Sequence, residues 1–151
     1  LDYLWLGIGA YLAKYPQTRY LFGPVSISGG MPLPARDLLV AFYRLYFSPA
    51  LPLATSRRPY PASLPDVLAQ FCGDDYQEDL QRLKRLLANL GCSIPALYKQ
   101  YSELCETGGV QFIDFGSDPE FNNCIDGLVL VDLSQLKPAK FERYIAVHQA
   151  E

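Results

Sequence analysis

Asp126, Ser26, Ser28, Tyr43 and Cys124 are the side chains in this sequence whose types and settings suit hydrogen bonding, ionisation or attack. Asp126 lies inside the apolar run CIDGLVLVDL (124–133), where a carboxylate must find a partner or change its protonation. It is read either as a binding point for an amine or as the partner of a structural arginine, with the second favoured. Asp114, Asp118 and Asp132 make the same region acidic, but their spacing fits no calcium loop. Asp118, just before Pro119, reads as the cap of a turn. Cys124 reads as a buried thiol, because no histidine stands near it in sequence to activate it as a nucleophile. The only histidine is His148. That excludes a multi-histidine metal site and leaves any Ser-His-Asp arrangement resting on the chain terminus, so no metal is expected.

The backbone raises a sharper question. RYLFGPVSISGG (19–30) alternates as a strand, with Tyr20, Phe22, Pro24, Ser26 and Ser28 on one face and Leu21, Val25 and Ile27 on the other. Gly23-Pro24 interrupts it by removing a side chain and then a backbone donor. Proline in a sheet belongs at edges, bulges or splayed positions. If a neighbouring strand peels away here, the free peptide groups around Gly23, Pro24, Val25 and Ser26 line a crevice. An extended ligand carrying amides, such as pantetheine, then binds as an added strand. The plainer alternative is an ordinary edge strand or bulge.

The elements that must hold these groups follow from the pattern. The chain has 151 residues, half of them hydrophobic and 19% charged, which suits one globular domain. A net charge of −3 gives no global basic field for nucleic acid; Arg57-Arg58 is the densest basic spot, suited to an acidic carrier. The four cysteines have no C-x-x-C spacing and read as reduced thiols of a cytoplasmic protein. Residues 2–15 are apolar nearly all round and stop at Pro16, which predicts a helix buried against a sheet. This run is shorter than the ~20 residues a membrane span needs. A second helix is expected over 35–47, opened by Pro34. Residues 48–65 hold five prolines and read as a stiff loop lying over a site. Helical spacing returns through 66–107: Tyr76, Leu80, Leu83, Leu87 and Leu90 form one face, Gly91 the stop, and Ser93 the cap of the next helix. Strands are expected at 110–115 and 124–133, then a short helix from Pro138 to Tyr144. The strand at 20–28 is expected to pair with sequence upstream of Leu1. Together these elements give an α/β (α+β) domain.

Two stretches carry a resemblance. DYLWLGIGAYLAKYPQTRYLFGPVSIS (2–28) contains W-x-G-I-x-x-Y followed by R-Y-L-F-G-P-V-S-I-S, and 108–145 contains D-F-G-x-D-P-x-F-x-N-C-x-D-G-L-x-L-V-D. These resemble the C-terminal part of the GNAT-like bacterial acyltransferases that include ornithine-lipid N-acyltransferases and proteins labelled putative haemolysins. The resemblance implies a mixed sheet splayed at the Gly23-Pro24 strand, flanked by helices, with residues 1–151 forming the C-terminal part of one domain. Residues 20–28 match its fifth strand, 35–47 the helix after it, and 110–115 with 124–133 the closing pair. The family's stretch with an acidic residue and an arginine ahead of the first helix is not in this sequence, so the catalytic base is expected upstream of Leu1.

The implied activity moves a fatty acyl group from acyl-phosphopantetheine, on acyl carrier protein or coenzyme A, to an amino-acid amine in lipid biosynthesis. No cofactor is held covalently. The implied setting is cytoplasmic, with peripheral contact at the inner face of the membrane left open. Gly23, Pro24, Val25, Ser26 and Ser28 are the implied substrate-binding positions, with the Val25 and Ser26 N–H groups facing the thioester. Tyr43, off the main apolar stripe of its helix, matches a tyrosine that protonates the leaving thiolate, and Asp126 is the second candidate catalytic residue. Packing is the competing reading for Tyr43 in a chain with eleven tyrosines. Trp5, Tyr11, Phe22, Phe42, Phe47 and Phe112 suit an acyl tunnel or a core equally. The alternative function is a non-catalytic, lipid-associated or interaction domain.

Overall fold

The computed structural model describes residues 2–149. Helix α1 (Asp2–Lys14) leads into strand β1 (Tyr20–Ile27) and helix α2 (Leu33–Phe47). After the proline-rich loop come α3 (Pro65–Leu68), α4 (Tyr76–Asn89) and α5 (Ala96–Ser102). Strands β2 (Val110–Asp118) and β3 (Cys124–Asp132) form a hairpin, and α6 (Pro138–Tyr144) follows. No described helix is long and apolar enough to cross a membrane.

The sheet runs β1-β3-β2, antiparallel throughout. This mixed α+β arrangement with flanking helices is compatible with part of a GNAT-like acyltransferase fold. β1 pairs along all eight residues with β3, a strand downstream of it, which leaves its other edge without a partner among the described residues. The ladder stays in register through the interruption, Gly23 opposite Val129 and Pro24 opposite Leu128. The splay expected at Gly23-Pro24 is therefore absent on the β3 side; on the other side of β1 no described strand pairs with it, and a mixed sheet would need a parallel strand there. Pro24 is tolerated where β1 has no described neighbour.

Alternation sorts the sheet into two faces. Val25, Ile27, Ile125, Val129 and Val131 turn inward and are buried in one core cluster, which α2 enters from the inner side and α4 backs by packing on α2. Phe112 and Phe115 are three apart, so a regular strand would put them on opposite faces. A register shift between them turns both inward, stacked at 5.7 Å. Tyr98 of α5 stacks on Phe112, and its hydroxyl donates to the Val25 carbonyl at 2.9 Å. Gly127 makes that possible, since a Cβ there would lie 2.9 Å from the Tyr98 hydroxyl and from Phe115.

The helix after Gly91 does not start from Ser93. Pro95 occupies the cap position with no side-chain hydrogen bond, because a proline holds the residue before it out of helical conformation. Asp75 does cap α4, accepting from the Glu78 N–H at 2.9 Å.

Candidate active site

Two hollows lie on opposite faces of the sheet and meet at Gly23-Pro24. The outer one encloses about 300 Å³ between Pro24, Asp126 and Leu128 on one side and Ala54, Thr55 and Ser56 of the proline-rich loop on the other. That loop is tied along the free edge of β2. The Tyr60 N–H donates to the Phe115 carbonyl at 2.8 Å, and the Ser117 N–H to the Arg58 carbonyl at 2.9 Å. Arg44 of α2 donates to the carbonyls of Tyr60 and Pro61 at 2.8 and 2.7 Å. The Ser56 N–H donates to Asp114 at 2.7 Å, fixing the loop over the bulge.

At the β1–β3 end of this hollow, the Ser26 hydroxyl donates to Asp126 Oδ1 at 2.5 Å, and the Cys124 thiol reaches the same oxygen at 3.4 Å. Asp118 approaches from the hairpin, so that ligand atoms of Asp118, Cys124 and Asp126 lie within 4.8 Å of one another. Burial, then the Asp126 hydrogen bond, pushes the Cys124 thiol above its ordinary range, which keeps it protonated. Two half-buried carboxylates with hydroxyl and thiol donors form a pocket able to bind a cationic amine.

The inner hollow is larger, about 500 Å³, and among the described residues that line it none is charged. One stripe of α1 forms its wall, with Tyr3, Leu4, Gly7, Ile8 and Tyr11 at helical spacing. Leu21 and Gly23 of β1, Val129 and Val131 of β3 and Tyr101 form the floor, with Phe22 at the rim. The adjoining stripe of α1 enters the core through Leu12 and through Trp5, which also borders the hollow, and the Trp5 indole donates to Gln100 at 2.7 Å. The all-round apolar helix is thus buried on one side only. Tyr3 is 90% exposed and Phe22 78%.

The residues singled out from sequence separate accordingly. Gly23 lines the inner hollow and Pro24 the outer one, with Ser26 bonded to Asp126 at the outer hollow's edge. Val25 is buried between them. Ser28 falls past the strand and accepts the Gly30 N–H at 3.2 Å, capping a turn. Asp118 caps its turn as expected, accepting the N–H groups of Glu120 and Phe121. Asp126 is bonded to a hydroxyl and a thiol; the arginine pairing favoured for it is made by Asp132, which Arg19 reaches at 3.1 Å. Tyr43 is 1% exposed on the inner side of the sheet, and its hydroxyl lies 2.9 Å from that of Ser102. Burial holds its phenol well above the ordinary range. Tyr43 and Asp126 are therefore on opposite faces, and neither hollow is lined by Tyr43. Of the six aromatics that suited tunnel or core, Trp5, Tyr11 and Phe22 line the inner hollow, whereas Phe42, Phe47 and Phe112 pack in the core. Sequence reasoning missed the Ser26–Asp126 pair, which joins residues a hundred positions apart.

Two curated relatives are similar to this chain. A glycine N(alpha)-acyltransferase of Bacteroides thetaiotaomicron is 27% identical over 147 residues, covering 96% of this chain and 43% of the relative. A glycine N(alpha)-acyltransferase of Phocaeicola vulgatus is 29% identical over 109 residues, 71% of this chain and 33% of the relative. The chain thus spans less than half the length of these relatives. No family model matches it, and no solved structure matches it.

Proposed function

We propose that this chain is part of an N-acyltransferase that moves a fatty acyl group from a phosphopantetheine thioester to the amine of an amino acid. The similarity to two proteins named acyltransferases supports the reaction class. The observation that carries the reading is the meeting of an uncharged groove and a carboxylate-lined pocket at one strand edge, Gly23-Pro24. Acyl transfer must bring an apolar tail and a cationic amine to one carbonyl carbon, and this edge offers each its own face.

The pantetheine arm lies along the open edge of β1, its amides bonding to free peptide groups as an added strand would. The acyl chain occupies the groove beside α1. The Ser26 N–H, turned to the open edge because the Val25 carbonyl before it faces β3, stabilises the oxyanion as the amine attacks. Asp126, held by Ser26, binds the acceptor ammonium and orients it. The ammonium first gives up one proton to solvent, and the free amine forms the C–N bond; the nitrogen then loses a second proton, the C–S bond breaks, and the leaving thiolate takes up that proton. Tyr43, sealed against Ser102, belongs to the scaffold in this reading. The relatives' names specify glycine, and the motif resemblance points to ornithine; both are candidate acceptors, with acyl carrier protein or coenzyme A as carrier.

The test incubates the natural full-length chain with palmitoyl thioesters of both carriers and with glycine or ornithine, and follows the amide by mass spectrometry. Acyl-amide formation is expected with at least one pair. Binding of a fluorescent fatty acid with no amide from any pair would replace this reading with a non-catalytic, lipid-associated domain, which the exposed Tyr3 and Phe22 would equally serve.

A further inference from the structure

We infer that Gly7 is the length gauge of the acyl groove: its missing side chain is the notch that admits the far part of a long chain. The inference rests on the acyl-transfer reading for the identity of the ligand and on the glycines of α1 and β1 for the gauge.

Glycine is a poor helix former, so its presence inside a helix calls for a reason. Helix α1 has two interior glycines, and they differ. At Gly9 a Cβ would fall 1.7 Å from the Tyr144 carbonyl oxygen, so close packing on α6 demands glycine there. At Gly7 a Cβ would meet nothing within 4 Å, and the backbone has no positive φ to excuse it. Packing therefore explains Gly9 and leaves Gly7 unexplained. The sheet repeats the contrast: Gly127 is closed in by Tyr98 and two phenylalanines, whereas a Cβ on Gly23 would meet nothing within 4 Å. Both glycines without a packing reason line the same hollow.

Gly7 also interrupts a bulky stripe. Tyr3 and Leu4 precede it by one turn, Ile8 and Tyr11 follow it, and only at Gly7 does the wall step back. A linear hydrocarbon is the occupant that fits. The described lining residues carry no charge, the hollow's 500 Å³ lies within the roughly 300–1,000 Å³ typical of ligand pockets, and it opens at the edge where the thioester is placed. A side chain at Gly7 would displace methylenes of a long chain and leave room for a short one. Each methylene kept out of the groove weakens binding about fourfold.

The test compares the natural full-length chain with Gly7→Leu, Gly23→Val and Ala10→Leu. Ala10 is an exposed residue of the same helix that does not line the groove. Displacement of cis-parinaric acid by acetyl-, octanoyl- and palmitoyl-coenzyme A reads binding without turnover, and amide formation is followed in parallel. Gly7→Leu should weaken the palmitoyl thioester at least about tenfold and change the acetyl thioester less than about twofold. Gly23→Val, at the edge where the thioester is placed, should weaken palmitoyl binding without sparing the shorter thioesters, and Ala10→Leu should change none of them. Palmitoyl binding unchanged in both glycine variants overturns the gauge while wild-type amide formation keeps the proposed reaction. A length-dependent loss in binding with no amide from the wild type sinks the reaction and leaves the gauge standing. A wild type that binds no fatty probe, with Gly7→Leu lowering its melting temperature, shows the groove to be filled by another segment of the natural chain and overturns the gauge.

Discussion

The two hollows share the Gly23-Pro24 edge and little else. On the outer face, hydrogen bonds reach every wall: Ser26 to Asp126, Ser56 to Asp114, and Arg44 to the loop that roofs the space. On the inner face the groove is shaped by what side chains lack, two glycines without neighbours and described lining residues without charge. A directional polar pocket defines one ligand atom's position; an uncharged groove selects only by shape and length. The proposed transfer chemistry needs both, and on that reading a two-faced sheet edge would supply them without mixing their surroundings.

The largest expected effect removes the support common to both. Phe112 is buried and stacks between Tyr98 and Phe115, so Phe112→Ala should cost about 3–5 kcal/mol in chemical denaturation. Fatty-probe and amine binding should then fail together; loss of one alone would show that the faces are not built on one core. Next, Asp126→Asn should separate them. Losing a hydrogen-bonded charge typically costs about 1.5–3 kcal/mol, so kcat/KM for the amine should fall roughly ten- to a hundredfold with fatty-probe affinity unchanged. Equal losses on both sides would erase the division between the faces. Gly7→Ala should act oppositely on stability and on capacity, raising the unfolding free energy by about 0.5–1 kcal/mol while reducing palmitoyl affinity. A stability loss would mean that the notch is packed.

The smallest effect concerns acid. Arg19, then Ser134, holds the Asp132 carboxyl below its ordinary range. Its contribution to stability is therefore present at neutral pH and lost as pH falls through the depressed folded value. Arg19 is exposed, so the contribution is small, and Asp132→Asn should flatten the acid limb of a pH–stability curve only slightly. A steep change would move weight from the hollows to this pair.

Much of the scaffold was legible because it obeys local rules. The alternation in β1, the capped amphipathic α4 and the turn before Pro119 each follow from neighbouring residues. The partner of β1 was not legible, since alternation fixes which face a residue takes and says nothing of which strand lies beside it. The arginine expected at Asp126 went to Asp132 for the same reason, because Arg19 lies just before β1 and the register sets Tyr20 opposite Asp132. Ser93 misled because its neighbour Pro95 outweighs a good capping residue. The groove stayed hidden for a different cause. A stripe of Leu, Ile and Tyr reads identically whether it meets a core or an opening, and Gly7 and Gly9 look alike until their surroundings are known.

The close seat of Gly9 on Tyr144 has a mechanical consequence. With a carbonyl where a methyl would stand, α1 sits directly on α6. If the proposed groove holds acyl tails, that seat would keep one jaw of the clasp in place, and discrimination would come from refusing oversize tails with little moulding around them. A ratio of rates across a ladder of tails should then break off abruptly and not fade.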